Sequence, residues 1–243
     1  MIRVFKLVAA FAAKVFFAIV LVGNVQAADL GGQIVDEPDA FDPLFAGHRR
    51  WYVGIRGGAA FTQDTSFRTL GVNVKNTYKD PAGYIGGMAG YNFGGAGMPG
   101  LRGELEVAYM SSSVDTQKLG GTKTGSAGSF GDTSTWLGLA SLYYDFGQGG
   151  PFRPYIGGGI GFGNVDFKRH GTSANGPLLN NSGTGFAWQV GGGVNIDIAQ
   201  ATELEIGYRY LEVDGIKLTA LDGTKSSTDL SNHLVLVGLK FHY

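Results

Sequence analysis

The chain has 243 residues, 42 of them glycine, with 16% charged residues, 12% aromatic residues and a formal net charge of -1. So much glycine and so little charge is poor material for helices and points to strands, while a near-neutral balance excludes a nucleic-acid surface, which needs a basic excess to displace counterions. The absence of cysteine excludes a disulfide framework, a cysteine-ligated metal and a lipid anchor on an amino-terminal cysteine.

The first element is MIRVFK, carrying Arg3 and Lys6, followed by LVAAFAAKVFFAIVLV, apolar apart from Lys14, and by VQA before Ala28. A charged start, an apolar middle and small residues at Val25 and Ala27 predict a secretory signal over residues 1–27. Lys14 divides the apolar run, which speaks against an uncleaved membrane helix. Residues 28–50 are polar, with Asp29, Asp36, Glu37, Asp39, Asp42, Pro38 and Pro43, and read as a periplasmic linking segment without a packed element. Residues 51–243 form the remaining domain. No later apolar run is long enough to span a bilayer as a helix, so a mature chain that enters a membrane must do so as a closed barrel.

Eight alternating segments follow, at about Trp51 to Phe61, Tyr84 to Phe93, Leu101 to Met110, Thr135 to Phe146, Phe152 to Phe162, Phe186 to Ile198, Thr202 to Leu211 and His233 to Tyr243. Each is near the ~9 to 11 residues that a tilted membrane strand needs. The connections Gly94 to Gly100, Gly147 to Pro151 and Ala199 to Ala201 are short. Those starting near Thr62, Ser111, Phe167 and Glu212 are long, and are expected to be structureless loops of a kind unusual in a compact soluble domain. Tight turns on one rim and long loops on the other are the pattern of outer-membrane barrels.

The faces carry more weight than the lengths. In FAWQVGGGVNIDI, Phe186, Trp188, Val190, Val194 and Ile196 share one face, and Gln189, Asn195 and Asp197 the other. Across all eight segments the more apolar register holds no Asp, Glu, Lys or Arg. The opposite register carries Arg56, Arg102, Glu104, Glu106, Asp145, Arg153, Asp197, Glu205, Arg209 and Lys240. A lipid-facing surface demands this separation, because Arg or Lys at the bilayer midplane costs about 2–4 kcal/mol. Aromatics gather at the ends of the apolar face: Trp51, Tyr91, Tyr144, Phe152 and Phe241 toward the short turns, and Tyr109, Trp136, Phe162, Phe186, Trp188 and Tyr210 toward the long connections. Two such girdles match two membrane interfaces.

The expected architecture is all-β, an eight-stranded antiparallel up-and-down transmembrane barrel. In its narrow lumen Glu104 or Glu106 is expected to bridge Arg56, with Glu205 and Arg209 across the interior, and Arg102 and Lys240 nearer the short-turn rim. Charges removed from water must be paired, so these charges are expected to close the lumen.

The runs PYIGGGIGFG at Pro154 to Gly163, LYYDFG at Leu142 to Gly147, EIGYRYL at Glu205 to Leu211 and the closing LVLVGLKFHY resemble the opacity-type and OmpA-like eight-stranded outer-membrane barrels, often labelled porin-family proteins. The likeness covers about Arg50 to Tyr243. It implies a non-enzymatic protein of a Gram-negative outer membrane, surrounded by outer-membrane lipid and lipopolysaccharide, with no cofactor. It further implies insertion by the outer-membrane assembly machinery, which would read Val235, Val237, Leu239, Phe241 and Tyr243. An envelope-integrity role with loops offered to a host or extracellular ligand follows from it. A small-solute channel is the alternative, and a lipid A-modifying enzyme a third reading. The chain departs from full-length OmpA-like proteins in ending at the eighth strand, without a peptidoglycan-binding domain.

Two other signals carry little. GAGMPG at Gly95 to Gly100 matches a dinucleotide-binding spacing, but Pro99 and a strand follow it where that fingerprint needs a helix. Ser231 and His233 share a face near the long-loop rim, without an evident acidic orienter and in the reverse of the His-x-Ser order of lipid-deacylating barrels. No nucleophilic site is read from them. His48, His170 and His242 are too dispersed for a metal site.

Overall fold

The computed structural model describes residues 50–69, 71–119, 122–124, 128–147, 150–173 and 176–243. The expected signal at residues 1–27, the polar segment up to residue 49 with His48, and the loop centre at Asn175 lie outside the described residues. Among the described residues there are eleven strands: β1 Trp51–Thr62, β2 Thr65–Thr69, β3 Val72–Tyr78, β4 Ala82–Asn92, β5 Leu101–Leu119, β6 Thr122–Thr124, β7 Ser129–Asp145, β8 Phe152–Thr172, β9 Gly176–Ala199, β10 Thr202–Thr219 and β11 Lys225–His242.

Eight of them form the wall. β1 pairs with β4, β4 with β5, β5 with β7, and so on through β8, β9 and β10 to β11, which pairs back onto β1. All these ladders are antiparallel, and the last one closes the ring. In it the outward residues Val235, Val237, Leu239 and Phe241 of β11 stand opposite Ala59, Gly57, Ile55 and Val53. Closure leaves no unpaired edge in the wall, the condition for a sheet that crosses hydrocarbon.

The pleat then sorts the side chains. Leu105 is 67% exposed and its neighbour Glu104 only 3%; Ile55, Ile85, Ile156 and Val190 point out, while Arg56, Tyr155 and Gln189 point in. This is the reverse of a soluble barrel. Aromatic pairs band the outward face at both ends. Trp51 meets Tyr91 at 4.8 Å and Tyr144 meets Phe146 at 5.0 Å near the short turns, and Tyr109 meets Trp136 at 5.1 Å and Trp188 meets Tyr210 at 5.3 Å at the other end.

The glycines find their use inside. A Cβ at Gly86 would stand 2.8 Å from Glu106 Oε1, and one at Gly191 2.8 Å from Arg209 Cγ. At Gly90 it would strike the Tyr52 ring, and at Gly207 the Tyr155 hydroxyl. An eight-stranded lumen is only just wide enough for its side chains, so bare backbone must face each large one.

The long connections differ from the expectation of structureless loops. β5, β7, β8, β9, β10 and β11 all run on beyond the second girdle, and the β2–β3 hairpin adds to β5 through Val74–Leu119 to Tyr78–Val114. Inward residues Phe67, Val74, Phe167, Leu178, Leu179, Ile216, Leu218 and Leu230 bury one another there. A segment with its own apolar core and its own ladder has no reason to remain a loop. At the other end, a 3₁₀ turn at Phe93–Ala96 and left-handed Gly97 and Gly100 (φ 84° and 82°) return the chain directly to β5, so GAGMPG opens no helix.

Candidate functional site in the lumen

The half of the lumen toward the short turns is a charge network. Arg56, on β1, donates through Nη1 to Glu104 Oε1 and Glu106 Oε2, each at 2.6 Å, and through Nη2 to Glu205 Oε2 at 2.9 Å. Arg209 of β10 donates to Glu106 Oε2 at 2.8 Å and to Glu205 Oε1 at 3.4 Å. Glu104 and Glu106 are two residues apart on β5, so the pleat aims both inward toward the same guanidinium.

Below this centre the network continues to the rim. Lys240 on β11 reaches Glu203 Oε1 at 2.8 Å, Glu205 Oε2 at 3.0 Å and Asn195 Oδ1 at 2.8 Å. Arg102 grips Asp145 through Nε at 3.0 Å and Glu104 at 3.3 Å, and its guanidinium lies 4.4 Å over the Tyr143 ring. Arg153 pairs with Asp197 and Glu203 at the mouth. Each central carboxylate also accepts one tyrosine hydroxyl: Tyr52 to Glu104 at 3.1 Å, Tyr84 to Glu106 at 2.7 Å and Tyr155 to Glu205 at 2.8 Å. The central charges are fully buried and multiply bonded, so removing one partner costs about 3–5 kcal/mol by leaving another charge unpaired.

Above the charges lies a second layer of a different kind. Ala60, Ala108, Met110, Leu137, Leu139, Val165, Ala187, Leu211, Leu234 and Leu236 all point inward and are buried to within 3% of complete. Ala60 stands opposite Leu234, and Ala108 opposite Leu137. This apolar septum crosses the lumen where the inward register was expected to be polar, and it joins the core of the extended end. A solute passing through would meet charge first and then packed hydrocarbon.

In the extended end, a register shift between Phe167 and His170, with Arg169 at φ 49°, turns both Phe167 and His170 inward. Asn76 Nδ2 donates to His170 Nδ1 at 3.1 Å, while Nε2 lies 3.1 Å from both the Asp132 carbonyl and Thr133 Oγ1. Asn76 Oδ1 is already taken by Gln117 Nε2 at 2.9 Å, so the amide cannot turn to accept a second imidazole proton. Burial lowers the His170 pKa from 6.5 to about 4, with the Asp132 carbonyl and carboxylate working weakly the other way.

Ser231 and His233 lie at the outward rim, and here the expected lack of an acid is corrected: Glu212 is the cross-strand neighbour of Ser231. Its carboxylate takes the Tyr210 hydroxyl. His233 is held through Nδ1 by Tyr208 at 2.6 Å and through Nε2 by Gln63 at 3.1 Å. With both ring nitrogens occupied, the imidazole is not poised as a base for Ser231. Among the described residues no group of three His, Asp or Glu is placed to hold a metal ion.

The tyrosines and the septum are the features that the sequence reasoning missed. Tyr52, Tyr84 and Tyr155 all fall in the charged register of the alternation, and that position was their signal. Leu137, Leu139, Leu234 and Leu236 fall in it too.

Similarity to known proteins agrees with this architecture. A family model described as outer membrane protein beta-barrel domain matches residues 16–242. A protein of Brucella suis biovar 1 (strain 1330) is 27% identical over 233 residues, covering 80% of this chain and 79% of the relative. A putative adhesin of Rickettsia conorii (strain ATCC VR-613 / Malish 7) is 25% identical over 208 residues, covering 79% of this chain and 82% of the relative. The outer membrane protein OprG from Pseudomonas aeruginosa shares the fold with a TM-score of 0.50 at 20% identity, over 82% of this chain and 99% of that one.

Proposed function

The chain belongs to the outer membrane protein beta-barrel family, and we propose that it acts there as a sealed, non-enzymatic barrel that supports the envelope and presents its extended end outside the cell. The observation that carries this reading is the pair of closures in series, the Arg56 and Arg209 charge network and the Leu137 to Leu236 septum. A filled lumen leaves the outward wall and the extended end as the working surfaces. The wall fits outer-membrane lipid and lipopolysaccharide. The extended end is a rigid scaffold, and exposed residues on rigid scaffolds are where contacts with an extracellular or host ligand are made; likeness to a putative adhesin supports that use. In this orientation the short turns and Tyr243 face the periplasm, and the outward residues of β11 through Tyr243 serve as the signal for the assembly machinery.

The test is planar-bilayer recording of the refolded chain beside surface-contact assays on bacteria in which residues 65–78 are replaced by a short turn. The reading expects no steady conductance from the wild type, and loss of contact without loss of barrel in the variant. Large, steady conductance would overturn the sealed barrel in favour of a small-solute channel.

A further inference from the structure

The buried network contains five cations, Arg56, Arg102, Arg153, Arg209 and Lys240, against a surplus of carboxylate: six Asp and Glu side chains are bonded into it. One negative charge is therefore left over in a space with little water. At the short-turn mouth, His242 Nε2 is buried without a hydrogen-bond partner among the described residues and lies 3.7 Å from Glu203 Oε2. That separation is too long for a hydrogen bond and short enough for one to form with a small rotation.

We propose that His242 is a proton-binding site of this mouth, and that its imidazolium is the sixth cation of the lumen network. The proton comes from water at the mouth and adds to the free Nε2, whose new N–H then donates to Glu203 Oε2. No bond to carbon changes. The groups that face the ring from the elements around it are Tyr52 on β1, 5.2 Å away between ring centroids, Arg153 on β8, Asp197 on β9, Glu203 on β10 and Lys240 on its own strand. Glu203 and Asp197 favour the imidazolium, whereas Arg153 and Lys240 oppose it. Burial is the largest influence and works against a charge there, while the surplus carboxylate works for it, and each of these charged neighbours can be removed by a single substitution. In the neutral form Glu203 belongs to Lys240 and Arg153 alone, and in the protonated form it is shared three ways and the mouth is drawn together.

The experiment is a histidine-labelled NMR titration of the refolded full chain from pH 8 to pH 4, with the His242 signal assigned by its loss in His242→Gln. Glu203→Gln should weaken the affinity of His242 for its proton, and Lys240→Met should strengthen it, each by about tenfold for a charge removed at this range in a partly buried site. Retained heat-modifiable migration shows that each variant is folded, and Asp197→Asn, which should also weaken proton binding, replaces any variant that is not. A His242 midpoint that none of these substitutions moves would overturn the proposal. Conductance does not enter this readout, so the sealed-barrel reading and the proton site stand or fall separately.

Discussion

The Tyr84 hydroxyl donates to Glu106 Oε1 at 2.7 Å while the Tyr84 ring packs within the apolar layer above. One side chain thus joins the two layers of the lumen. Tyr84→Phe keeps the ring and removes the bond to a charged acceptor, which is worth about 1.5–3 kcal/mol. Urea unfolding of the barrel in lipid vesicles should show a loss of that size, and an unmoved midpoint would count against Tyr84 as the joint.

Two closures in series change what substitution of the charges should do. In a lumen closed by charge alone, Glu104→Ala or Arg209→Ala would open a path. With the septum intact, either variant should lose stability and still conduct poorly in planar bilayers. Adding Leu137→Ser and Leu234→Ser to Glu104→Ala should admit water and produce measurable current, at a cost of about 2–5 kcal/mol for each core side chain removed. Steady current from Glu104→Ala alone would show that the apolar layer does not seal.

His170 predicts an acid-labile extended end. Its folded pKa of about 4 lies below the ordinary 6.5, so between these values the unfolded imidazole binds the proton that the folded one refuses. The contribution is complete above pH 6.5 and is lost as pH falls toward 4. At about 1.4 kcal/mol per unit the loss reaches about 3 kcal/mol. The protection factors of peptides covering residues 72–78 and 167–172, taken relative to intrinsic exchange at each pH, should fall across that window in the wild type. In His170→Gln the same fall would assign the effect to another group.

Orientation can be read with single cysteines, since the chain has none of its own. Lys75, Lys118 and Lys225 are exposed at the extended end and Met98 at the short-turn end. Cysteine at the first three positions should react with a membrane-impermeant maleimide on intact cells, and Met98→Cys only after permeabilisation. The opposite pattern would invert the barrel.

Removal of the last aromatic tests assembly. Tyr243→Asp should reduce the amount of heat-modifiable barrel recovered from outer membranes, and an unchanged yield would deny Tyr243 a part in recognition.

The membrane-crossing stretches were legible because contrast between faces is greatest there. Ile55 beside Arg56, or Leu105 between Glu104 and Glu106, leaves one choice of inside and outside. In LVLVGL both faces are apolar, since Leu234 and Leu236 fill the septum while Val235 and Val237 face out, so counting charges passed over the inward leucines. Beyond the second girdle the contrast fades for the opposite reason. Buried positions such as Thr69, Thr116 and Thr228 are polar, and register shifts at Thr77, Phe167 and Val213 break the period of two. Tyr52, Tyr84 and Tyr155 were hidden by chemistry, because a tyrosine suits a girdle ring and a carboxylate donor equally well.

The continuation of the wall past the girdles bears on how this surface can diverge. In β2 and β3, Ser66, Arg68, Asn73 and Lys75 face solvent, while Phe67, Val74, Asn76 and Tyr78 between them are buried. With this end outside the cell, as proposed, substitution at the first set redraws the outline that an antibody or a phage would meet and leaves the scaffold untouched. Substitution at the second set puts folding at risk. Escape from recognition is therefore confined along these two strands to alternate residues, and antigenic drift at this end should leave a two-residue rhythm in the sequences of its descendants.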